Sequence, residues 1–241
     1  MIKNQQPIEK RATKQTGYEL DVHSIFYTIQ GEGPFSGTPA VFVRLAGCNL
    51  QCPLCDTDYT EGRTTMGIHQ IVASVVAASN GGTKLVVVTG GEPFRQQLLP
   101  LFETLLDCGM YVQVETNGTL PPPECNSYSQ DTSERWGVYV VCSPKTGRVR
   151  ADVADASCCF KYVMCADAVS PLDGLPTTAL EHTANPILAR PPKGYDRPVY
   201  LQPADEQEDG VNTHNLKAVL NSCMQYGYVL QLQIHKIINM E

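Results

Sequence analysis

Cys48, Cys52 and Cys55 put three thiols within eight residues, in the spacing Cys-x-x-x-Cys-x-x-Cys. Thiolates are the usual protein ligands of iron–sulfur clusters, and three in one short loop can wrap one face of a cuboidal cluster. The fourth iron then stays open and can chelate the amine and carboxylate of an amino acid. A structural zinc site is the alternative. It is four-coordinate and closed, so it would need a further ligand such as Cys142, Cys158 or a histidine. Zinc knuckles come as paired C-x-x-C units, and this chain has one. The other seven cysteines, including Cys158-Cys159, read as reduced core or surface thiols.

About 35 residues further on, Thr89-Gly90-Gly91-Glu92-Pro93 follows an apolar run. Two glycines let a ligand approach the backbone, and the next carboxylate can receive an ammonium group. Taken alone, the segment also suits a plain turn with a surface glutamate.

These segments must be held by regular elements. Ala40–Leu45 reads as a buried strand running into Ala46-Gly47, which sets the cysteines just past a strand's end. Over 67–79, Ile68, Ile71, Val72, Val75, Val76 and Ser79 recur at helical intervals, and Asn80-Gly81-Gly82 stops the helix. Lys84–Thr89 is a second strand ending in Gly90-Gly91, a helix follows over about 95–107, and Met110–Glu115 is a third strand ending at Thr116-Asn117-Gly118. Strand and helix alternating in this way argue for a parallel sheet with its loops gathered at the strands' carboxyl ends.

The proline-rich and polar stretch 119–135 reads as a surface excursion before a strand at Val138–Cys142. Residues 166–197 read as a loop-rich insertion with one short helix. Val199–Gln202 is predicted as a strand, Asn212–Gln225 as a helix and Val229–Ile234 as a last strand. Residues 1–18 are polar and basic, with nothing periodic to bury, and read as a mobile tail; the folded domain begins near Glu19 and runs to residue 241. No internal repeat is found.

At 241 residues with 42% hydrophobic content, the chain can build a core without disulfides. A formal net charge of −7 disfavours a broad electrostatic grip on nucleic acid or an anionic membrane, and a small-molecule substrate fits better. No segment approaches the roughly 20 apolar residues of a membrane span, and the first residues do not resemble a signal peptide. A cytoplasmic location is expected.

CNLQCPLC and TGGEP together resemble the radical S-adenosylmethionine (SAM) superfamily. The resemblance implies a 4Fe–4S cluster on Cys48, Cys52 and Cys55, with SAM bound by Gly90, Gly91, Glu92 and Leu54. Further blocks are similar to one branch, the 7-carboxy-7-deazaguanine synthases. These are Phe26-Tyr27-Thr28-Ile29-Gln30-Gly31-Glu32-Gly33, Gly37-Thr38-Pro39-Ala40, and Phe42-Val43-Arg44-Leu45-Ala46-Gly47-Cys48. Read singly, QGEG is a glycine-rich turn and Arg44 an edge charge. By the resemblance, Ile29, Gln30, Gly31, Glu32 and Arg44 bind a pterin, Arg44 gripping its carboxylate in a fork.

The same resemblance carries over other positions. Thr57 becomes a magnesium ligand, where Asp56-Thr57 alone reads as a turn or helix cap. Thr116 goes to substrate, and Gly118, Ser143, Pro144, Lys145, Gln202 and Pro203 go to SAM. Ala204-Asp205 departs from the branch's pattern, as does Ile234 in Gln233-Ile234-His235-Lys236. His235, expected on a strand, is implied to reach the substrate. The implied fold is α/β, a single-domain incomplete TIM-type (β/α)6 barrel. The implied reaction converts 6-carboxy-5,6,7,8-tetrahydropterin to 7-carboxy-7-deazaguanine and ammonia, with a flavodoxin or ferredoxin as reductant and a homodimer as the assembly. A radical SAM activase that places a glycyl radical on a partner protein, and a zinc-bound interaction module, are the competing readings.

Overall fold

Leu85-Val86-Val87-Val88 is apolar without alternation because the strand it forms is covered on both faces. In the computed structural model, which describes residues 4–12, 16–181 and 187–240, Val86 and Val88 join one core cluster and Leu85 and Val87 a second. The same division recurs in the neighbouring strands. Val112 and Val114 lie against the helices while Tyr111 turns to the other face, and Val138 and Val140 are separated in the same way from Tyr139 and Val141.

β1 (Glu19–Ile29) and β2 (Pro39–Leu45) form an antiparallel pair, and β3 (Thr64–Gly67) adds to the outer side of β1. There follow α1 (Ile68–Ala78), β4 (Leu85–Gly90), α2 (Leu99–Asp107), β5 (Tyr111–Thr116), β6 (Val138–Cys142), α3 (Ala151–Ala156), β7 (Ser157–Met164), β8 (Val199–Pro203), α4 (Asp209–Tyr226), β9 (Val229–Leu230) and α5 (Ile234–Ile237). The sheet order is β3-β1-β2-β4-β5-β6-β7-β8-β9, parallel from β2 onward. The six strands β2 and β4 to β8 form the incomplete barrel expected from sequence, open between β3 and β9. Phe35, Tyr111 and Tyr139 meet edge to face, with centroids 5.0 to 6.4 Å apart, and fill the inner face near the start of β5 and β6. The carboxyl ends are left to form a cavity.

Local chemistry sets the element ends. In α1, Ile68, Ile71, Val72 and Val75 bury one face, and Gln70 accepts from the Gly67 N–H at 2.9 Å. The chain then turns at Asn80 and Gly81, with φ of 47° and 73°. The second predicted helix starts at Leu99, later than expected, because Pro93–Arg95 forms a separate 3-10 turn. Among the described residues no helix is long and apolar enough to cross a membrane. Residues 119–135 hold no helix or strand, as expected, and 166–197 contribute a 3-10 turn at Ala166–Ala168 where a short helix was expected; residues 182–186 of that insertion lie outside the described residues.

Two expectations are corrected. The last strand pairs only at Val229 and Leu230, and His235 lies on the helical turn α5. Pro203 brings no N–H with which β8 could extend the ladder. Beyond Leu230, the Gln231 side chain leaves the sheet to bond the Gly33 N–H at 2.7 Å and the Gly31 carbonyl at 3.2 Å. Residues 4–12 are not a free tail: Glu9 N–H donates to the Cys48 carbonyl at 2.7 Å and Ala12 N–H to the Arg95 carbonyl at 2.8 Å. The rest of the expected tail, 1–3 and 13–15, lies outside the described residues. β1, β3, β7 and α3 were not anticipated.

Candidate active site

β2 delivers the chain to the cysteine loop, and the end of β4 fixes that loop from beside it. Gly91 N–H donates to the Leu45 carbonyl at 3.4 Å, and Glu92 N–H to the Gly47 carbonyl at 3.1 Å. The contact is so close that a Cβ on Gly91 would fall 2.3 Å from the Gly47 oxygen and 2.7 Å from Cys48 Cβ. The glycine pair therefore lets two loops touch, in addition to any access it gives a ligand.

Cys48, Cys52 and Cys55 all line one cavity of about 470 Å³. Burial pushes the Cys48 thiol up to about 12, with the nearby Glu92 charge and the other two cysteines adding to the shift. Burial likewise takes Cys52 to about 11, against the pull of Lys145, and raises Cys55. Burial thus opposes the thiolates that a cluster needs, a cost that bound iron would offset. Among the described residues no group of three or more His, Cys, Asp or Glu is set to hold a single metal ion; the irons of a cluster stand apart, so its ligands do too. Cys142 and Cys158, suggested as zinc ligands, do not line the cavity. Cys142 packs beneath Gly118, and Cys158 donates to the Val140 carbonyl at 3.3 Å. The donor set fits the cluster.

Leu54, Gly90, Gly91, Ser143, Lys145 and Gln202 line the same cavity. Lys145 Nζ donates to the Ser143 carbonyl at 2.9 Å and its hydroxyl at 2.6 Å; burial, and then Lys161, lower its pKa. Gly118, Pro144, Pro203 and Glu92 do not reach the cavity wall. Glu92 is fully buried; its carboxylate accepts from Thr116 Oγ1 at 2.7 Å, Asn117 N–H at 2.8 Å and Phe94 N–H at 3.0 Å.

Ile29, Gln30, Glu32, Arg44, Thr116 and His235 line the cavity as well. Gly31 lies directly under His235, whose Nδ1 is 1.9 Å from where a Cβ would sit. Arg44 rests over the Phe26 ring at 5.2 Å, and its buried Nε has no hydrogen-bond partner. A guanidinium held by an aromatic face, with a donor unspent, is prepared for an anionic ligand. Glu32 pairs with Lys161 and accepts from Gln233 Nε2 at 2.7 Å. Although burial opposes it, the Lys161 charge and these two hydrogen bonds hold Glu32 down at about 2. Thr57 lines the cavity mouth, its hydroxyl 3.2 Å from Asp56 Oδ1.

Sequence reading missed Lys161 and gave Glu115 no role. Glu115 lines the cavity and accepts from Gln30 Nε2 at 3.1 Å, Gln113 Nε2 at 3.0 Å and Thr89 Oγ1 at 3.2 Å. Lys161, a charge inside the apolar run Cys158-Cys159-Phe160-Lys161-Tyr162-Val163, carried a signal, since such a residue needs a buried partner.

The family model for the Radical SAM superfamily matches residues 42–128. A 7-carboxy-7-deazaguanine synthase from Rhodospirillum rubrum is 40% identical over 228 residues, covering 92% of this chain and 93% of the relative. The chain belongs to the 7-carboxy-7-deazaguanine synthase family. Another member, from Rickettsia prowazekii, is 36% identical over 235 residues, with 93% and 90% covered. In fold, the family member is similar to the crystal structure of QueE from Escherichia coli, with a TM-score of 0.66 and 24% identity across 89% of this chain and 94% of that one. As a radical SAM enzyme of this family it uses a 4Fe–4S cluster and SAM.

Proposed function

We propose that this enzyme is a lyase converting 6-carboxy-5,6,7,8-tetrahydropterin to 7-carboxy-7-deazaguanine with loss of ammonia, in the biosynthesis of queuosine and related 7-deazapurines. The observation that carries the reading is one cavity lined both by the three cysteines and by Arg44, whose Nε has no partner. When held by Cys48, Cys52 and Cys55, the cluster would supply the electron for reductive cleavage of SAM, and SAM the radical chemistry directed at C6 of the substrate.

The chain's own residues then have positioning tasks. Cys48, Cys52 and Cys55 hold three irons. Gly90, Gly91, Leu54, Ser143, Lys145 and Gln202 shape the SAM wall, supported by Gly118, Pro144 and Pro203. Glu92 serves from below by fixing Thr116 and Asn117. Arg44 takes the substrate carboxylate, while Ile29, Gln30, Gly31, Glu32, Thr116 and His235 hold the ring. A primary carbon radical attacks many C–H bonds, so a fixed, short approach is what selects one. Thr57 would offer its hydroxyl to a magnesium ion. A flavodoxin or ferredoxin supplies electrons, and the enzyme works in the cytoplasm as a homodimer.

Anaerobic reconstitution with iron, sulfide, SAM, magnesium and the carboxypterin, followed by mass spectrometry, tests the reading. The acid of 7-deazaguanine is the expected product. SAM cleavage without that product, or zinc in place of iron, overturns it.

A further inference from the structure

The cysteine loop from Cys48 to Thr60 contains neither helix nor strand, so its backbone groups have no ladder of their own to join. Buried peptide groups need partners, and residues 4–12 supply several. Asn4 N–H donates to the Pro53 carbonyl at 2.9 Å and Asn4 Nδ2 to the Cys52 carbonyl at 3.2 Å. Glu9 N–H reaches the Cys48 carbonyl at 2.7 Å. Between them, the Gln6 side-chain amide acts like one rung of a strand: Nε2 donates to the Thr57 carbonyl at 2.9 Å and Oε1 accepts from the Tyr59 N–H at 2.7 Å. In return Gln51 Nε2 donates to the Gln6 carbonyl at 2.7 Å.

The segment is also anchored by charge. Glu9 bridges Arg95 at 3.1 Å and Arg63 at 2.8 Å, and Arg95 is only 4% exposed where its Nη2 meets the Ala46 carbonyl at 2.9 Å, two residues before Cys48. Two of the three cysteine peptide units are therefore bonded by this segment directly, and the Cys55 turn is held through Thr57.

We propose that residues 4–12 are a strap that positions the cluster loop and retains the cluster, with Gln6 as its central positioning residue and Asn4 and Glu9 as its ends. The strap fixes the loop before iron arrives, so less ordering is left to be done on binding, and it opposes the loop opening through which iron would leave. The inference rests on the cluster reading of Cys48, Cys52 and Cys55.

The test compares the full chain with Gln6→Ala, Lys10→Ala and a truncation of residues 1–12, each reconstituted without oxygen and then given an iron chelator. Cluster loss is followed by the fall in visible absorbance and by released iron, without any substrate. Two lost hydrogen bonds of about 1 kcal/mol each correspond to a loss rate about 30-fold higher for Gln6→Ala, with a larger rise for the truncation. Lys10→Ala, at an exposed side chain of the same segment, keeps the rate of the full chain. Equal rates for Gln6→Ala, the truncation and the full chain overturn the strap while leaving the cluster reading intact. A full chain that binds zinc and no iron overturns both.

Discussion

Thr116 donates its hydroxyl hydrogen to Glu92 Oε1 across 2.7 Å, which locks the last residue of β5 to the carboxylate following the glycines of β4. Two further backbone donors converge on the same carboxylate, from Asn117 and Phe94. Burial raises the Glu92 pKa, and these donors oppose that rise. Glu92→Ala leaves three donors without an acceptor in a dry setting. A loss of about 1–3 kcal/mol is expected, read from urea unfolding of the iron-free protein; an unchanged midpoint would show that the three donors find other partners.

The buried pair of Glu32 and Lys161 makes stability depend on acid. Glu32 is held at about 2, below its usual 4.5. Because the folded value is depressed, its contribution is complete above about pH 4.5 and drains away as pH falls toward 2. Lys161 is shifted upward, mainly by Glu32 against the effect of burial, so its contribution is complete below its ordinary range and is lost only in strong alkali. Glu32→Gln is expected to flatten the dependence of the unfolding midpoint between pH 5 and 3. A variant that loses stability as steeply as the parent over that window would place the acid sensitivity elsewhere.

Arg44 separates substrate turnover from SAM cleavage. Its guanidinium faces the cavity from the Phe26 ring with Nε unspent, and a lysine offers neither the fork nor the planar stack. Arg44→Lys is expected to lower turnover of the carboxypterin by about 10- to 100-fold, the worth of one charge-assisted hydrogen bond. Slow SAM cleavage without substrate is expected to stay within a few-fold of the parent. Equal losses in the two assays would remove Arg44 from the substrate.

Thr57 lines the cavity from within the cysteine loop; its carbonyl accepts from the Cys55 thiol at 3.7 Å, while its hydroxyl bonds Asp56 Oδ1 and no thiol. Thr57→Ala therefore keeps iron content and visible absorbance at parental values. Turnover falls, and the magnesium concentration for half-maximal rate rises. An unaltered magnesium titration would take the hydroxyl out of the metal's shell.

How much of this was legible in sequence depended on whether the partners are near in the chain. The cysteine loop is contiguous, so residue type and spacing announced it, and runs such as Leu85–Val88 announced strands; Gly90-Gly91-Glu92 and Gln30-Gly31-Glu32 read singly as turns and took their roles from the family resemblance. Lys161 carried a signal as a charge in an apolar run, but its partner Glu32 lies 129 residues away and could not be named from sequence. The strap was misread for a related reason. It buries no apolar stripe, and its bonds go to the backbone of another loop, which no hydropathy pattern encodes. α5 was misread because Gln231 and Gln233 look like alternate residues of a strand, whereas their side chains are spent on Gly31, Gly33 and Glu32.

Gly91 tests whether loop contact, rather than ligand access alone, explains the paired glycines. A Cβ there would meet the Gly47 carbonyl oxygen at 2.3 Å and Cys48 Cβ at 2.7 Å, and neither is the end of a flexible side chain. The cysteine loop would have to move away from β4, taking Cys48 with it and disturbing the spacing of the three thiols. Gly91→Ala is therefore expected to lower bound iron after anaerobic reconstitution, before SAM or substrate is added. Gly82→Ala is the matched control, since nothing lies within 4 Å of its Cβ position, and its iron content should equal that of the parent. Should Gly91→Ala bind a full complement of iron and fail only in binding SAM, the glycine serves the ligand and the contact with Cys48 is incidental.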